Sequence, residues 1–305
     1  MALSSERGWI EYLTGRSRTL PGGSGVVVGI GDDCAIFRPA PREDLLFTTD
    51  LVIEGVHFDR ELHPPEAVGH RAMMRGLSDI AAMGGEARFC LVSIALAPWS
   101  DQGWVDKFWS GFLRQAMLAG APLIGGDTAR GERFTCDVAV GGAAPKGKAL
   151  LRSGARAGDR LYVSGALGGS ALGLVKKKGP AWKHHLAPQP RLALGRFVRE
   201  TLRATACMDL SDGLSIDLHR MCRASMASAE IEPPPRYPGA TLEQALHGGE
   251  DYELLFAAPA RVRPPAEFEG VPITCIGRIA GGKPGQVKLG GTALQPLGFD
   301  HFRKT

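Results

Sequence analysis

From Val26 onward, apolar runs of strand length alternate with segments whose apolar residues recur at helical spacing, which restricts the chain to sheets covered by helices. In the first half, strands are expected over residues 26–30, 45–53, 88–97 and 134–144. A helix is expected over 66–83, entered at Pro64-Pro65 and stopped at Gly84-Gly85. A second helix carries Val105, Phe108, Phe112 and Ala116 ahead of Gly120. The order β, β, α, β, α, β predicts a mixed sheet. Periodicity then lapses over 145–159, a stretch of Pro, Gly, Lys and Arg that reads as a connection. Beyond it, strands are expected over 160–164, 206–210, 253–257, 272–278 and 286–289, with helices near 168–178, 190–203, 212–225 and 241–247. With 305 residues this gives two α/β domains, 1–145 and 146–305.

Composition narrows the function classes. The net charge of +4 suits anionic substrates but falls short of a nucleic-acid footprint. The longest strongly apolar stretch, 89–99, is about half the ~20 residues of a membrane helix, and Ser93 interrupts it. The amino-terminal residues carry acid and base together with no apolar core, so a cytoplasmic protein is expected, without membrane or nucleic-acid partners. The six cysteines are scattered and form no Cys-x-x-Cys pair, which points to reduced, mostly buried thiols. Glycine is frequent, 41 residues, as expected where backbone must turn sharply or approach a ligand closely.

Several aspartates stand where strands should end. Asp32 and Asp33 follow Val-Val-Val-Gly-Ile-Gly, Asp50 follows Leu-Leu-Phe-Thr-Thr, Asp127 follows Leu-Ile-Gly-Gly, and Asp209 and Asp212 follow Ala-Cys-Met. In α/β sheets ligands gather at the carboxyl ends of strands. A cluster of such acids repels itself unless hard divalent cations join it, and magnesium takes carboxylate, hydroxyl and water oxygens while keeping positions open for phosphates. Thr48 and Thr49 beside Asp50 offer further oxygens. The competing reading is that an Asp after a strand caps a turn or a helix, and Asp212, opening the segment 212–223, is the N-cap candidate. Asp79 sits near a helix end, where negative charge is disfavoured, so it needs a cation: Arg75 four residues earlier, or a metal.

Other segments are weaker signals. Gly142-Ala-Ala-Pro-Lys-Gly-Lys-Ala149 has the spacing of a phosphate-binding P-loop, but Ala149 replaces the metal-binding hydroxyl and Pro145 removes an N–H, so it reads as a linker. Gly165-Ala-Leu-Gly-Gly-Ser, between a strand and a helix, reads equally as a phosphate loop or as packing glycines. His184-His185 beside Lys176–Lys178 reads as a solvated face, and Trp104 with Trp109 as core or dimer surface. Glu250 and Asp251 are turn formers or substrate contacts.

Nine motifs in order resemble the thiamine-monophosphate kinase family over essentially the whole chain. They are Gly29-Ile-Gly-Asp-Asp-Cys-Ala, Thr48-Thr-Asp50, Gly55-Val-His-Phe58, Leu77-Ser-Asp-Ile-Ala-Ala-Met-Gly84 and Leu123-Ile-Gly-Gly-Asp-Thr128, then Leu151-Arg-Ser-Gly-Ala155, Asp209-Leu-Ser-Asp-Gly-Leu214, Gly248-Gly-Glu-Asp-Tyr-Glu-Leu254 and Gly298-Phe-Asp-His-Phe302. The resemblance implies the aminoimidazole-ribonucleotide-synthetase-like fold, with an N-terminal sheet that dimerises two copies, ATP near the dimer interface, and a C-terminal α/β domain. It implies direct in-line transfer of the ATP γ-phosphoryl to thiamine monophosphate, the last step of thiamine diphosphate formation, with several Mg2+ ions and no covalent nucleophile. By the same resemblance the metal ligands are Asp33, Thr48, Thr49, Asp50, Asp79, Asp127, Asp209 and Asp212. Gly126, Asp127, Arg152 and Ser211 match nucleotide contacts, and His57, Glu250 and Phe299 match substrate contacts. The chain departs from the family pattern at Phe299, where Tyr or Trp is common, and at Leu118 and Ala119, which replace aromatic residues.

Overall fold

A computed structural model describes residues 12–16, 25–30 and 34–299 of the chain. These form two compact units. The first holds the described residues up to Ile80 together with Gly85–Gly147, and the second holds Ala81–Gly84 and the described residues from Lys148 on.

In the first unit, β1 (Val26–Val28) and β2 (Ile36–Phe37) make a small antiparallel ribbon. The body of the unit is β3 (Glu43–Ile53), α1 (Pro65–Ala82), β4 (Glu86–Leu96), α2 (Gln102–Leu118), β5 (Leu123–Arg130) and β6 (Thr135–Pro145). The four long strands form one sheet in the order β3-β6-β4-β5, antiparallel except for the parallel pair β4/β5. Successive side chains of a strand face opposite ways. On β3, Leu46 and Val52 are buried while Phe47 and Leu51 are 68% and 50% exposed, so one face of the sheet is covered and the other open. The two helices approach each other closely because glycine permits it. A Cβ on Gly69 would lie 1.9 Å from Phe108 O, and one on Gly111 would lie 1.9 Å from Glu66 O. Phe108, Trp109, Phe112 and Phe134 fill the core beneath them.

The second unit runs β7 (Arg160–Ser164), α3 (Gly169–Lys176), α4 (Gly179–Leu186), α5 (Leu192–Glu200), β8 (Ala206–Asp209), α6 (Leu214–Ala224), β9 (Ser228–Ile231), α7 (Leu242–His247) and β10 (Leu254–Ala258). It ends with β11 (Glu267–Phe268), β12 (Val271–Ala280), β13 (Val287–Leu289) and β14 (Thr292–Ala293). Its sheet has the order β14-β13-β9-β12-β7-β10-β8, with β11 paired to β12. Both faces are covered. Leu255 and Ala257 of β10 join one core with Leu161, Val163 and Met208, and Leu254, Phe256 and Ala258 join another with Tyr162 and Cys207. A strand covered on both faces reads as an unbroken apolar run, as β10 does.

The structure adds elements that periodicity did not predict. Strand β5 contains Gly125-Gly126, whose missing side chains break the apolar pattern, and β9 is only four residues long. Helix α4 starts with Gly-Pro and has no apolar stripe. The P-loop-like stretch forms the end of β6 and the turn after it. Cys90, Cys136, Cys207 and Cys222 are buried, and Cys34 and Cys275 are exposed.

Candidate functional site

In the first unit β3 and α1 bring three of the expected ligands together. Thr48 and Asp50 point from β3 toward α1, where Thr48 Oγ1 donates to Asp79 Oδ2 and Arg75 Nε lies 3.4 Å from Asp50 Oδ1. Arg75 thus reaches Asp50, on another element. Burial pushes the Asp50 carboxyl up to about 6; the Arg75 guanidinium opposes that rise, and the carboxylates of Asp79 and Asp137 add to it. Asp50 Oδ2 is buried with no hydrogen-bond partner. An unpartnered carboxylate oxygen among other carboxylates is costly for the protein alone and fits a hard divalent cation.

The same pleat separates the remaining residues. Thr49 faces away from Thr48, on the open side of the sheet with Phe47 and Leu51. The register Leu51↔Asp137, Asp137↔Ser93 and Ser93↔Asp127 puts Asp127 on that open side too, at the far edge of the sheet on β5. Asp127 Oδ1 accepts the N–H of Thr128. Gly126 has φ 154°, and a Cβ there would lie 1.9 Å from Val92 O, so only glycine lets β5 pair at this point. Its bare backbone is exposed. His57 accepts the Ile53 N–H on Nδ1 at 3.1 Å, which leaves its proton on Nε2. With Val52, Phe58, Val68, Arg71 and Arg75 it lines a small pocket. Asp33 lies outside the described residues. Among the described residues no group of three or more His, Cys, Asp or Glu side chains is arranged to hold a metal ion.

In the second unit, segments far apart in sequence meet at the end of β8. Asp209 closes that strand, paired with Leu254 of β10, and is buried. The loop after it is gripped by two others: Glu250 N donates to Ser211 O (2.7 Å), Tyr252 N to Leu210 O (3.0 Å), and Phe299 N to Asp212 O (2.9 Å). Ser211, Asp212, Glu250 and Phe299 therefore share one neighbourhood, with the Phe299 ring half exposed. Arg152 is exposed, and its carbonyl accepts from Ser225 Oγ.

Two expectations are corrected here. Asp212 does not cap α6: the cap position is Gly213, and buried Asp217 accepts the N–H groups of Asp212 and Gly213 at 3.1 and 3.0 Å. Asp212 instead pairs with Arg220 at 2.5 Å, and the same guanidinium reaches Asp217 at 2.8 Å. His185 is not on a solvated face but is 1% exposed, its Nδ1 2.8 Å from Ser170 Oγ. The Gly165–Ser170 loop is occupied by a carboxylate of the chain itself, since Asp251 accepts from Gly168 N (2.6 Å) and Ser170 N (3.0 Å). Burial pushes the Asp251 carboxyl up to about 7 against those N–H donors.

Sequence reasoning missed Asp217, Glu253 and Arg191. Glu253 is 1% exposed and takes a two-pronged contact from Arg191 at 2.8 and 2.5 Å, plus Ser164 Oγ at 2.5 Å. A signal was present: Glu253 stands directly before a wholly apolar strand, and Asp217 falls in the stripe Leu214, Leu218, Met221 of α6.

Residues 31–144 match the family model described as AIR synthase related protein, N-terminal domain. The thiamine-monophosphate kinase of Escherichia coli (strain K12) is 34% identical to this chain over 305 residues, covering 91% of this chain and 92% of that one. This chain belongs to the thiamine-monophosphate kinase family. Within that family, the crystal structure of thiamine-monophosphate kinase from Stenotrophomonas maltophilia K279a shares 32% identity and a TM-score of 0.83, covering 96% of this chain and 97% of its own. AaThiL complexed with AMPPCP and TMP gives 29% identity and a TM-score of 0.79 over 99% of this chain and 98% of its own. The two-unit fold with mixed sheets is thus the fold of the family. Among the described residues no helix is long and apolar enough to cross a membrane.

Proposed function

We propose that this chain transfers the γ-phosphoryl group of ATP to thiamine monophosphate, yielding thiamine diphosphate and ADP. The observation that carries the reading is the likeness over nearly the whole chain to AaThiL, whose structure holds an ATP analogue and TMP. Two phosphate-bearing substrates must meet, so the demand on the protein is positioning and neutralisation of charge, with no covalent nucleophile.

Asp50, Asp79 and Thr48 would hold Mg2+ in the first unit, with Thr49 and Asp127 as further oxygens on the open face, Asp33 nearby in sequence, and Asp209 and Asp212 in the second unit. Magnesium, when bound, neutralises phosphate oxygens as a Lewis acid. The chain's own groups do the rest. Gly126 offers bare backbone to phosphates, and Arg152 and Ser211 supply a charge and a hydroxyl to the nucleotide. Arg75 keeps Asp50 directed from one side, and the buried Oδ2 has no hydrogen-bond partner. The Phe299 ring stacks on the flat, cationic vitamin, and Glu250 and His57 offer it polar contacts.

The exposed apolar positions Phe47 and Leu51 on the open sheet face support a homodimer formed through that face. Sedimentation is expected at about twice 32.4 kDa, and Phe47→Asp is expected to give the monomer. We also place the protein in the cytoplasm, in keeping with its free thiols. The function is tested by incubating the purified chain with ATP, Mg2+ and thiamine monophosphate. Thiamine diphosphate and ADP are expected in equal amounts, with little product from thiamine itself. ADP without thiamine diphosphate would contradict the assignment.

A further inference from the structure

Helix α1 carries Arg75 and Asp79 one turn apart, so both side chains leave the same face. Both reach β3: Asp79 accepts the Thr48 hydroxyl, and Arg75 meets Asp50. The Arg75 and Asp50 side chains are only 16% and 21% exposed. A positive charge of the chain itself therefore stands beside two carboxylates proposed to hold Mg2+. The contact is a loose one. In the second unit Arg220 meets Asp212 at 2.5 Å and Asp217 at 2.8 Å, tying two acids together. Arg75 Nε stays 3.4 Å from Asp50 Oδ1, and Asp50 Oδ2 is buried without a hydrogen-bond partner. Arg75 takes part in further interactions, and it lines a small pocket with Val52, Phe58 and Val68, so its charge is held in this place.

We propose that Arg75 is a specificity-determining residue, which makes the Asp50 site favour magnesium accompanied by a phosphate group over magnesium alone; this rests on the reading that Asp50 holds Mg2+. A fixed positive charge raises the free energy of a bare cation beside it and lowers that of an anion. The opposition is strongest where both are partly buried, because water screens them less. A guanidinium next to the carboxylates therefore weakens the hold on Mg2+ by itself. Once a phosphate group joins the cation, the same guanidinium attracts that group, and planar guanidinium suits phosphate oxygens especially well. What Arg75 takes from the affinity for Mg2+ alone it returns as coupling between Mg2+ and phosphate, and such coupling is reciprocal. The arrangement also keeps Asp50 from standing uncompensated before substrate binds.

Arg75→Met keeps an unbranched side chain of similar length and removes the charge. Calorimetric titration of Mg2+ alone, at about pH 8.5 so that Asp50 is ionised, is expected to show binding about 5-fold or more tighter than in the unaltered chain. The titration is then repeated with a saturating non-hydrolysable ATP analogue, and again with saturating thiamine monophosphate. The gain is expected to disappear with the ligand whose phosphate stands beside Arg75, so the two arms identify that phosphate. Arg75→Lys keeps the charge and is expected to retain the coupling. Arg75→Gln also removes the charge, and it carries the test if Arg75→Met does not fold. Affinity for Mg2+ alone that is unchanged or lower in the neutral variants overturns the proposal. A gain of one size in the absence of ligand and with either ligand overturns it as well. Equal Mg2+ affinity in Asp50→Asn and the unaltered chain would instead overturn the reading of Asp50 as a metal ligand.

Discussion

The two units treat their acids differently. In the first, Asp50 sits on a regular strand with one oxygen toward Arg75 and the other buried without a partner. In the second, three buried carboxylates are answered by the chain itself: Glu253 by Arg191 and Ser164, Asp217 by two N–H groups and Arg220, Asp251 by the first turn of α3. Burial raises the carboxyl of Asp50 and that of Asp217 alike, each to about 6, so burial alone does not distinguish them. What distinguishes them is whether the anionic form has donors. A carboxylate with its donors built in holds a turn in place, whereas one left short of donors is fitted to receive a cation from outside.

The sharpest way to break this contrast is to remove one acid of the first kind. Asp50→Asn is expected to lower kcat/KM by about 100-fold or more while circular dichroism and the melting temperature of the metal-free protein stay intact or rise. An unchanged rate at saturating Mg2+ would remove Asp50 from the cation site. Next comes a pair of the second kind. Arg191→Ala leaves the buried Glu253 carboxyl without its guanidinium partner, so denaturant unfolding should show a loss of about 3–5 kcal/mol. A loss below about 1 kcal/mol would mean that Glu253 is held otherwise.

A pH series sharpens the contrast further. Because the folded state keeps a proton on Asp251 up to about 7, the stability from this group is fully present below the ordinary aspartate range and is lost as pH rises through about 7. Asp251→Asn stays neutral throughout, so its melting temperature should vary less than that of the unaltered protein between pH 4 and pH 8. Identical slopes would show that Asp251 does not titrate there. The smallest effect is expected at the substrate end. Phe299→Ala removes a stacking contact of about 0.5–2 kcal/mol, so KM for thiamine monophosphate should rise about 2- to 30-fold with KM for ATP unmoved. An equal change in both constants would place Phe299 outside a thiamine subsite.

Much of the fold was legible in the sequence because it rests on local periodicity: β3, β4, β6, α1, α2 and the fully apolar β10 announce themselves within a dozen residues. What was not legible depends on distant partners or on glycine. Strand β5 hides behind Gly125-Gly126, whose role is to let its backbone lie against Val92. The burial of His185 follows from Ser170, fifteen residues away, and that of Glu253 from Arg191, sixty-two residues away, neither visible to a spacing rule. The candidate site divides likewise. The residue types were legible as carboxylates after strands, but their faces were not, because the pleat turns Thr48 and Asp50 toward α1 and Thr49 away from it.

The contrast between the units comes down to whether Asp50 is kept for a cation. Calorimetric titration of Mg2+ into the full-length protein with a non-hydrolysable ATP analogue, for the unaltered chain and for Asp50→Asn, tests this directly. The substitution is expected to weaken Mg2+ binding at least about 10-fold. Equal Mg2+ affinity in the two proteins would contradict it.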